Sequence, residues 1–179
     1  MNYLVPAQAA AQLFSLLVFA TMARWYVAPR LAQLGRADAL IPLLWIHAFR
    51  YIALQAFSAQ RDGFPISDDG LMDIVLGDVG GALLAIGAIF ALRHRLRIGI
   101  ALAWVLVAET FYDTVSNIHG GMREHLIGAS GGVTWLVLAF YVPLVVVSLV
   151  MIAWQLHARR GEALTDHQPH EPVPGFARL

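Results

Sequence analysis

Five mainly apolar stretches alternate with short polar turns along the chain, and each approaches the about 20 residues that an α-helix needs to cross a bilayer. They lie at roughly 8–28, 39–58, 71–92, 98–118 and 133–156. The pattern predicts an all-α, five-helix integral membrane bundle that occupies residues 1–157 as one domain. Residues 158–179, which contain several prolines among polar residues, predict a disordered cytoplasmic tail.

Composition supports this class and excludes others. Hydrophobic residues make up 59% of the chain and charged residues only 13%, which excludes an ordinary soluble domain and a disordered chain. The formal net charge is zero, so we expect no nucleic-acid partner. The chain has no cysteine, so disulfides, thiolate metal sites and cysteine nucleophiles are excluded.

The arginines predict an orientation. Seven of them lie in the turns after the first and third stretches and at the start of the tail, against two on the opposite side: Arg30, Arg36, Arg93, Arg95, Arg97, Arg159 and Arg160, against Arg61 and Arg123. Positively charged loops stay inside, which predicts an N-terminus outside and a C-terminus in the cytoplasm. All basic residues are arginine and alanine is abundant, which favours a bacterial inner membrane.

Ionisable side chains inside the stretches are the candidate functional residues, because burying charge in hydrocarbon is costly and usually marks function. The candidate catalytic residues are His47, Arg50, Asp78, Glu109 and Asp113. All are predicted in the middle and outer half of the bundle, where they form a polar pocket. Neighbouring polar and aromatic residues are candidates for substrate binding: Tyr51, Gln55, Tyr112, Asn117 and Trp135.

The charges of this set do not balance. Arg50 can pair with one carboxylate, and we expect that partner to be Asp78 or Glu109. The remaining acids then repel one another in a low dielectric, so one of them, or His47, is expected to be protonated. A neutral acid beside an ionised one suits general acid–base chemistry and proton-coupled transport alike. A third interpretation is that Arg50 and one acid only lock the helices together.

We expect no metal and no cofactor, although a metal site built from His47, Asp78, Glu109 and Asp113 is chemically possible with oxygen and imidazole ligands. The other histidines lie at different depths from His47, which does not suit a haem ligated by two histidines. The Glu-x-x-His motif of di-iron bundles is missing, and Arg50 would repel a cation. Gly77 and Gly81 predict close approach of another helix beside Asp78. That helix belongs either to the same chain or to a second copy in a homodimer.

Two resemblances add to this interpretation. The run from His47 to Gln60, followed by Gly77-Asp78, resembles a set of small uncharacterised bacterial membrane proteins, which implies no activity. The overall plan resembles the EXPERA family, which includes a Δ8–Δ7 sterol isomerase and the sigma-2 receptor. The shared elements are Ile46-His47, Asp78, Tyr112-Asp113 and the group Phe140, Tyr141 and Pro143. The chain departs from the family at Tyr51, where the isomerase has an acid, and its fifth stretch has no Asn.

The resemblance implies a cavity for a hydrophobic amphiphile. The first hypothesis is therefore an enzyme or binding protein for a sterol- or terpene-like lipid, with isomerase- or cyclase-type chemistry. Glu109 or Asp78 would be the acid, and Asp113 and His47 the base. The alternative is a small proton-coupled transporter that uses the same acids as its relay, although five helices without an inverted repeat are few for alternating access. A non-catalytic subunit of a membrane complex is the third option.

Overall fold

The regular structure of the chain is entirely helical over residues 3–164, which are the residues that this computed structural model describes. Five of its helices are long and apolar enough to cross a membrane. We number them α1 (Leu4–Leu31), α2 (Arg36–Arg61), α3 (Asp68–Arg93), α4 (Ile98–Arg123) and α5 (Gly132–Ala158). Each predicted stretch lies inside one of these helices.

The two ends of the bundle differ in charge. We call the end with the turns 32–35 and 94–97 the arginine-rich end, and the end with the turns 62–67 and 124–131 the acidic end. Residues 158–164 lie at the arginine-rich end. The rest of the segment predicted as a disordered tail, residues 165–179, lies outside the described residues.

Helices α2, α3, α4 and α5 form a four-helix ring. Helix α2 packs against α3 and α5, α3 packs against α4, and α4 packs against the Val142–Ala158 half of α5. Helix α4 has no comparable packing against the Gly132–Tyr141 half of α5. The ring is therefore closed in its arginine-rich half and separated between α4 and α5 in its acidic half.

The closed half contains the main hydrophobic core. Its largest members have no exposed surface, and they come from every helix of the ring: Leu40, Leu44, Leu92, Leu106, Ile152 and Leu156. Helix α1 lies outside the ring and packs mainly on α5. Its Gln8 bonds Ser130 at 2.9 Å and its Gln12 donates to the Leu138 carbonyl. Large apolar side chains of α1 such as Phe14 and Leu17 face outward, as expected for contact with lipid.

Three helices depart from α geometry in ways that matter for the site. Helix α2 changes to a 3-10 helix over Phe49–Leu54. Helices α1 and α5 each contain a π-helical turn, at Ala23–Val27 and Val137–Tyr141. Each π turn lies just before a proline, Pro29 or Pro143. Proline lacks the N–H that an α-helix requires, so the backbone rearranges in the turn before it.

Arginines close the arginine-rich end. The buried Arg36 donates to the carbonyl oxygens of Leu156 and Arg160, near the end of α5. Arg159 donates to the carbonyls of Leu31 and Leu34 at 2.9 and 2.6 Å. These carbonyls lie at or beyond helix ends, where regular helical partners run out, and the cationic side chains add hydrogen bonds to them. The first residues after α5 are thus held against the bundle.

Glu124 and Ser67 fix the start of α3 at the acidic end. The Ser67 hydroxyl accepts from the Gly70 N–H at 3.0 Å, as an N-cap does. The Glu124 carboxylate accepts from the Ser67 N–H at 2.8 Å and from its hydroxyl at 2.7 Å. These hydrogen bonds to Ser67 lower the pKa of Glu124, because they stabilise its ionised form.

This contact predicts a pH dependence of stability. A carboxylate with a lowered pKa contributes stability above the ordinary glutamate value of about 4.3 and loses it as pH falls through the lowered value. We expect Glu124→Gln to reduce thermal stability at pH 7 and to flatten its decline below pH about 4.3. Melting curves across pH for both proteins measure this. A variant whose stability falls with acid as steeply as the wild type would contradict it.

Candidate functional site

Arg50 is the centre of a charged cluster inside the bundle. It lies in the 3-10 segment of α2, and its side chain is only 2% exposed. Its Nε donates to Asp78 Oδ1 at 2.7 Å, its Nη1 to Glu109 Oε2 at 2.8 Å and its Nη2 to Asp113 Oδ2 at 2.7 Å. We call these four residues together with Thr110 the Arg50 cluster. It joins α2, α3 and α4.

The predicted pairing of Arg50 with Asp78 or Glu109 is confirmed, but the expectation that only one acid pairs is wrong. The guanidinium group carries five N–H donors on three nitrogens. Each nitrogen reaches a different carboxylate, and Nη2 also donates to Glu109 Oε1 at 3.3 Å. Glu109 and Asp113 are four residues apart on α4, so they lie on one face. Asp78 reaches the same guanidinium from α3.

Sequence reasoning missed Thr110, which completes the cluster. Its side chain is buried, accepts from Arg50 Nη1 at 2.8 Å and donates to Glu109 Oε2 at 3.1 Å. A threonine in the middle of an apolar helix is common, and Thr110 is not on the stripe that Glu109 and Asp113 share. Only its position next to Glu109 could have indicated it.

Two glycines of α3 make room for the cluster. A Cβ added at Gly81 would overlap Arg50 Nη1 and the Glu109 carboxylate, and one at Gly77 would overlap Asp113. The close approach predicted at these glycines therefore takes place within one chain. A homodimer through the Gly77 and Gly81 face would need a face that α2 and α4 already cover.

We expect Gly81→Ala to destabilise the protein by about 1–3 kcal/mol, because the methyl group enters a packed charged site. Gly80→Ala is the matched control, since no atom lies within 4 Å of its added Cβ. That control should be neutral or stabilising by up to about 1 kcal/mol, as alanine favours helix over glycine. Melting temperatures in one detergent compare the two. Equal melting temperatures would contradict the close packing of α3 on Arg50.

Tyr141 holds the backbone beside Arg50. Its hydroxyl donates to the carbonyl of Ile46 at 2.7 Å. Ile46 lies just before the change from α to 3-10 helix at Phe49, where carbonyls lose their regular partners. Tyr141 itself ends the π turn of α5. This hydrogen bond thus joins the end of the π turn of α5 to the last regular turn of α2, just before the segment that carries Arg50.

His47 does not join the acids, contrary to the prediction. Its side chain has no exposed surface, and its Nε2 lies 2.9 Å from the Ser148 hydroxyl of α5. Ser148 in turn donates to the Val145 carbonyl. His47 Nδ1 has no hydrogen-bond partner in the described residues. No described hydrogen bond links His47 to a carboxylate, because its imidazole points to α5 whereas Arg50 points to α3 and α4.

Tyr51 and Gln55 lie four and eight residues after His47, so a regular α-helix predicts that they share its face, but the change to 3-10 geometry breaks this arrangement. A 3-10 helix has 3.0 residues per turn instead of 3.6, so positions beyond Phe49 rotate away from the expected face. Tyr51 is 53% exposed on the outer surface. Gln55 instead accepts from the Thr134 hydroxyl of α5 at 3.1 Å.

The remaining predicted binding residues lie apart from one another. Tyr112 is 75% exposed on the outside of α4, and Trp135 is 36% exposed on α5. Asn117 lines a cavity of about 370 Å³ at the acidic end. The structure therefore brings the four charged candidates together, but it does not collect the five predicted binding residues into one pocket.

Part of the Arg50 cluster is exposed. The Asp78 and Glu109 side chains are each 24% exposed and that of Asp113 is 12% exposed, although Arg50 itself is covered. The cluster lies in the acidic half of the bundle, where α4 and α5 are not packed together. At 1.5 Å per residue, Asp78 and Asp113 are each about 15 Å from the acidic end, so these acids lie at a depth where lipid would surround the bundle.

The guanidinium of Arg50 occupies the centre of the three carboxylates, where a metal ion would otherwise have to bind. No group of three or more His, Asp or Glu side chains in residues 3–164 could hold a metal ion. What the cluster can do is hold and transfer protons, since three carboxylates share one permanent positive charge.

These features define an all-helical protein with five membrane-capable helices and a buried arginine surrounded by carboxylates. The chain belongs to the family described as a domain of unknown function, DUF8737, which matches residues 7–157. No curated protein and no solved structure matches the chain. The resemblance to the EXPERA family therefore stays a prediction.

Proposed function

We propose that this protein is a membrane-embedded acid–base protein for a hydrophobic small molecule, a sterol- or terpene-like lipid, with isomerase- or cyclase-type chemistry. The observation that carries the proposal is the Arg50 cluster, in which three carboxylates contact one arginine and remain partly exposed at membrane depth. Groups of this kind inside a membrane span usually serve function. Because α4 is separated from the acidic half of α5, a molecule dissolved in the lipid would reach the acids from the side of the bundle.

The proposed chemistry needs only the acids of the cluster. A protonated Glu109 or Asp78 gives its proton to one carbon of a C=C bond, which leaves a carbocation. Asp113 then removes a proton from a neighbouring carbon, and the double bond forms again one position along. The proton returns from Asp113 to the first acid within the cluster, so no electrons are gained or lost and no cofactor is required. His47 is left out of this scheme because it pairs with Ser148.

Arg50 would set the charge of the site. Its three nitrogens hold the carboxylates at fixed positions, and its positive charge keeps at least one of them ionised as the base. A second acid in the same low-dielectric site is then more easily held in its neutral form. This division between a neutral acid and an ionised base is what alkene isomerisation requires.

A purified sample tests the binding part of the proposal. The protein is extracted with its surrounding lipid into polymer discs without detergent, and its lipids are identified by mass spectrometry. We expect a polycyclic or isoprenoid molecule to be enriched over the same cells' membrane. An unrelated membrane protein from these cells, extracted in the same way, is the control. Lipids of bulk composition in both samples would contradict the proposal.

We further propose that the protein lies in the bacterial inner membrane with its N-terminus outside and its C-terminus in the cytoplasm. The bias of arginines toward the arginine-rich end supports this orientation. Reporter fusions at residue 2 and residue 170 are expected to report opposite sides of the membrane. Both ends reporting the same side would contradict five membrane spans.

A further inference from the structure

A cavity of about 370 Å³ opens at the acidic end, and we call it the vestibule. Its walls are the first turns of α3, the last turns of α4 and the turns beside them. The polar groups that line it are Ser67, Asp69, Asp73, Ser116, Asn117, Arg123 and Glu124. It has room for several water molecules, each of which takes about 30 Å³ in the liquid. The vestibule is therefore a largely polar space between the ends of α3 and α4 at the acidic end.

The inner part of the vestibule lies next to the Arg50 cluster along α3 and α4, on the side of the acidic end. Asn117 is four residues from Asp113 on α4, and Asp73 is four residues from Gly77 on α3. One helical turn, about 5.4 Å, thus separates the vestibule from the contact between Gly77 and Asp113. Gly77 lies against the Asp113 carboxylate and adds no side chain between it and the vestibule.

The route from the Arg50 cluster toward the arginine-rich end is closed. Toward the arginine-rich end, the buried polar groups next to the cluster are His47 and Ser148, which bond to each other. Beyond them the core consists of buried leucine, isoleucine and alanine side chains. The next buried polar side chain on α5 is Gln155, seven residues or about 10 Å further along. No continuous polar route through the described residues leads to that end.

We infer that protons reach the Arg50 cluster from the acidic end alone, through the vestibule, with Asp73 as the relay group and Asp113 as the first carboxylate reached. The proton passes from vestibule water to Asp73, then to Asp113 beside Asn117. Other charged groups face this route. Asp69, Arg123 and Glu124 line the vestibule, and Arg50, Asp78 and Glu109 face Asp113 from the cluster. The inference rests on the proposed function, because the vestibule loads the cluster with the proton that this chemistry then recycles.

One-sided access can be measured without knowing the substrate. The chain has no cysteine, so one introduced cysteine is the only thiol. Asn117→Cys and the more exposed Ser116→Cys are each placed in sealed vesicles and treated from one side with a membrane-impermeant methanethiosulfonate. Both are expected to react from the acidic end only. Ala103→Cys, whose position has no exposed surface in the closed half, should react from neither side.

The proton route itself is followed by infrared spectroscopy of protonated carboxylic acids in the same vesicles. A pH step at the acidic end should change this band, and an equal step at the arginine-rich end should not. We expect Asp73→Asn to slow the response by at least about tenfold, as removal of a proton-transfer group does. Asp38→Asn, an acid at the other end that pairs with Arg95, should leave the rate unchanged.

Each outcome decides a different claim. A response from the arginine-rich end, or equal labelling of Asn117→Cys from both sides, overturns the inference and supports a proton-coupled transporter instead. An unchanged rate in Asp73→Asn overturns the relay role of Asp73. One-sided access in a protein that enriches no hydrophobic molecule would support the inference while contradicting the proposed function.

Discussion

Arg50→Met is expected to have the largest effect of any single substitution on stability. Removing the guanidinium leaves three carboxylates together in a site where Arg50 was 2% exposed. Loss of one partner from a buried ion pair costs about 3–5 kcal/mol, because the remaining charge is uncompensated. We therefore expect little folded protein after extraction, or a large fall in melting temperature. The yield of monodisperse protein and its melting curve measure this.

The expected cause is uncompensated negative charge, and it can be tested by also removing charge from the carboxylates. In the combination of Arg50→Met with Asp78→Asn and Glu109→Gln, fewer uncompensated charges remain, so part of the lost stability should return. Arg61→Met is the control for loss of an arginine, since its pair with Asp62 is largely exposed and such pairs contribute about 0–1 kcal/mol. A wild-type melting temperature in Arg50→Met would contradict the account of the cluster.

Glu109→Gln is expected to have the largest effect on activity. The amide keeps the shape of the side chain and can still accept from Arg50 and Thr110, but it cannot give up a proton to an alkene. Loss of a general acid typically lowers turnover by about 10²–10⁴-fold. The fold should survive, because Arg50 retains its contacts with Asp78 and Asp113. Turnover and melting temperature are measured on one preparation.

The two interpretations of the cluster differ in this experiment. If the cluster only locked helices together, Glu109→Gln would lower the melting temperature and leave activity per folded molecule unchanged. Asp38→Asn controls for loss of an acid elsewhere in the bundle. A stable and fully active Glu109→Gln protein would exclude Glu109 as the proton donor and assign that role to Asp78.

The sequence was sufficient for the helices and for naming Asp78 and Glu109 as candidate partners of Arg50. Apolar stretches long enough for a bilayer have few alternatives to a helix, so their existence follows from composition alone. An arginine in such a stretch must find an acid, and few acids lie at a matching depth. Its pairing with Asp78 or Glu109 was predicted from that constraint. The sequence does not show which carboxylates the N–H donors of a guanidinium group reach. It therefore did not predict that all three acids bind Arg50 together.

Other parts of the site depended on backbone geometry that no residue pattern indicated. Regular α-helix periodicity placed His47 and Tyr51 on a shared face, but the 3-10 turn in α2 rotates Tyr51 outward. The direction of His47 toward Ser148 is a result of how α2 and α5 pack. Thr110 carried no charge to mark it. Polar residues in transmembrane helices are thus easier to find by depth than by helical face.

Solvent deuterium incorporation tests the central claim most directly. The protein in polymer discs is incubated in D₂O with the hydrophobic molecule that it enriches, and the molecule is then analysed by mass spectrometry and NMR. Acid–base isomerisation by the Arg50 cluster predicts deuterium at a carbon of the C=C bond or next to it. It also predicts little incorporation in the folded Glu109→Gln protein. No deuterium with folded wild-type protein, or equal incorporation in both proteins, would contradict the claim that Glu109 transfers a proton to this molecule.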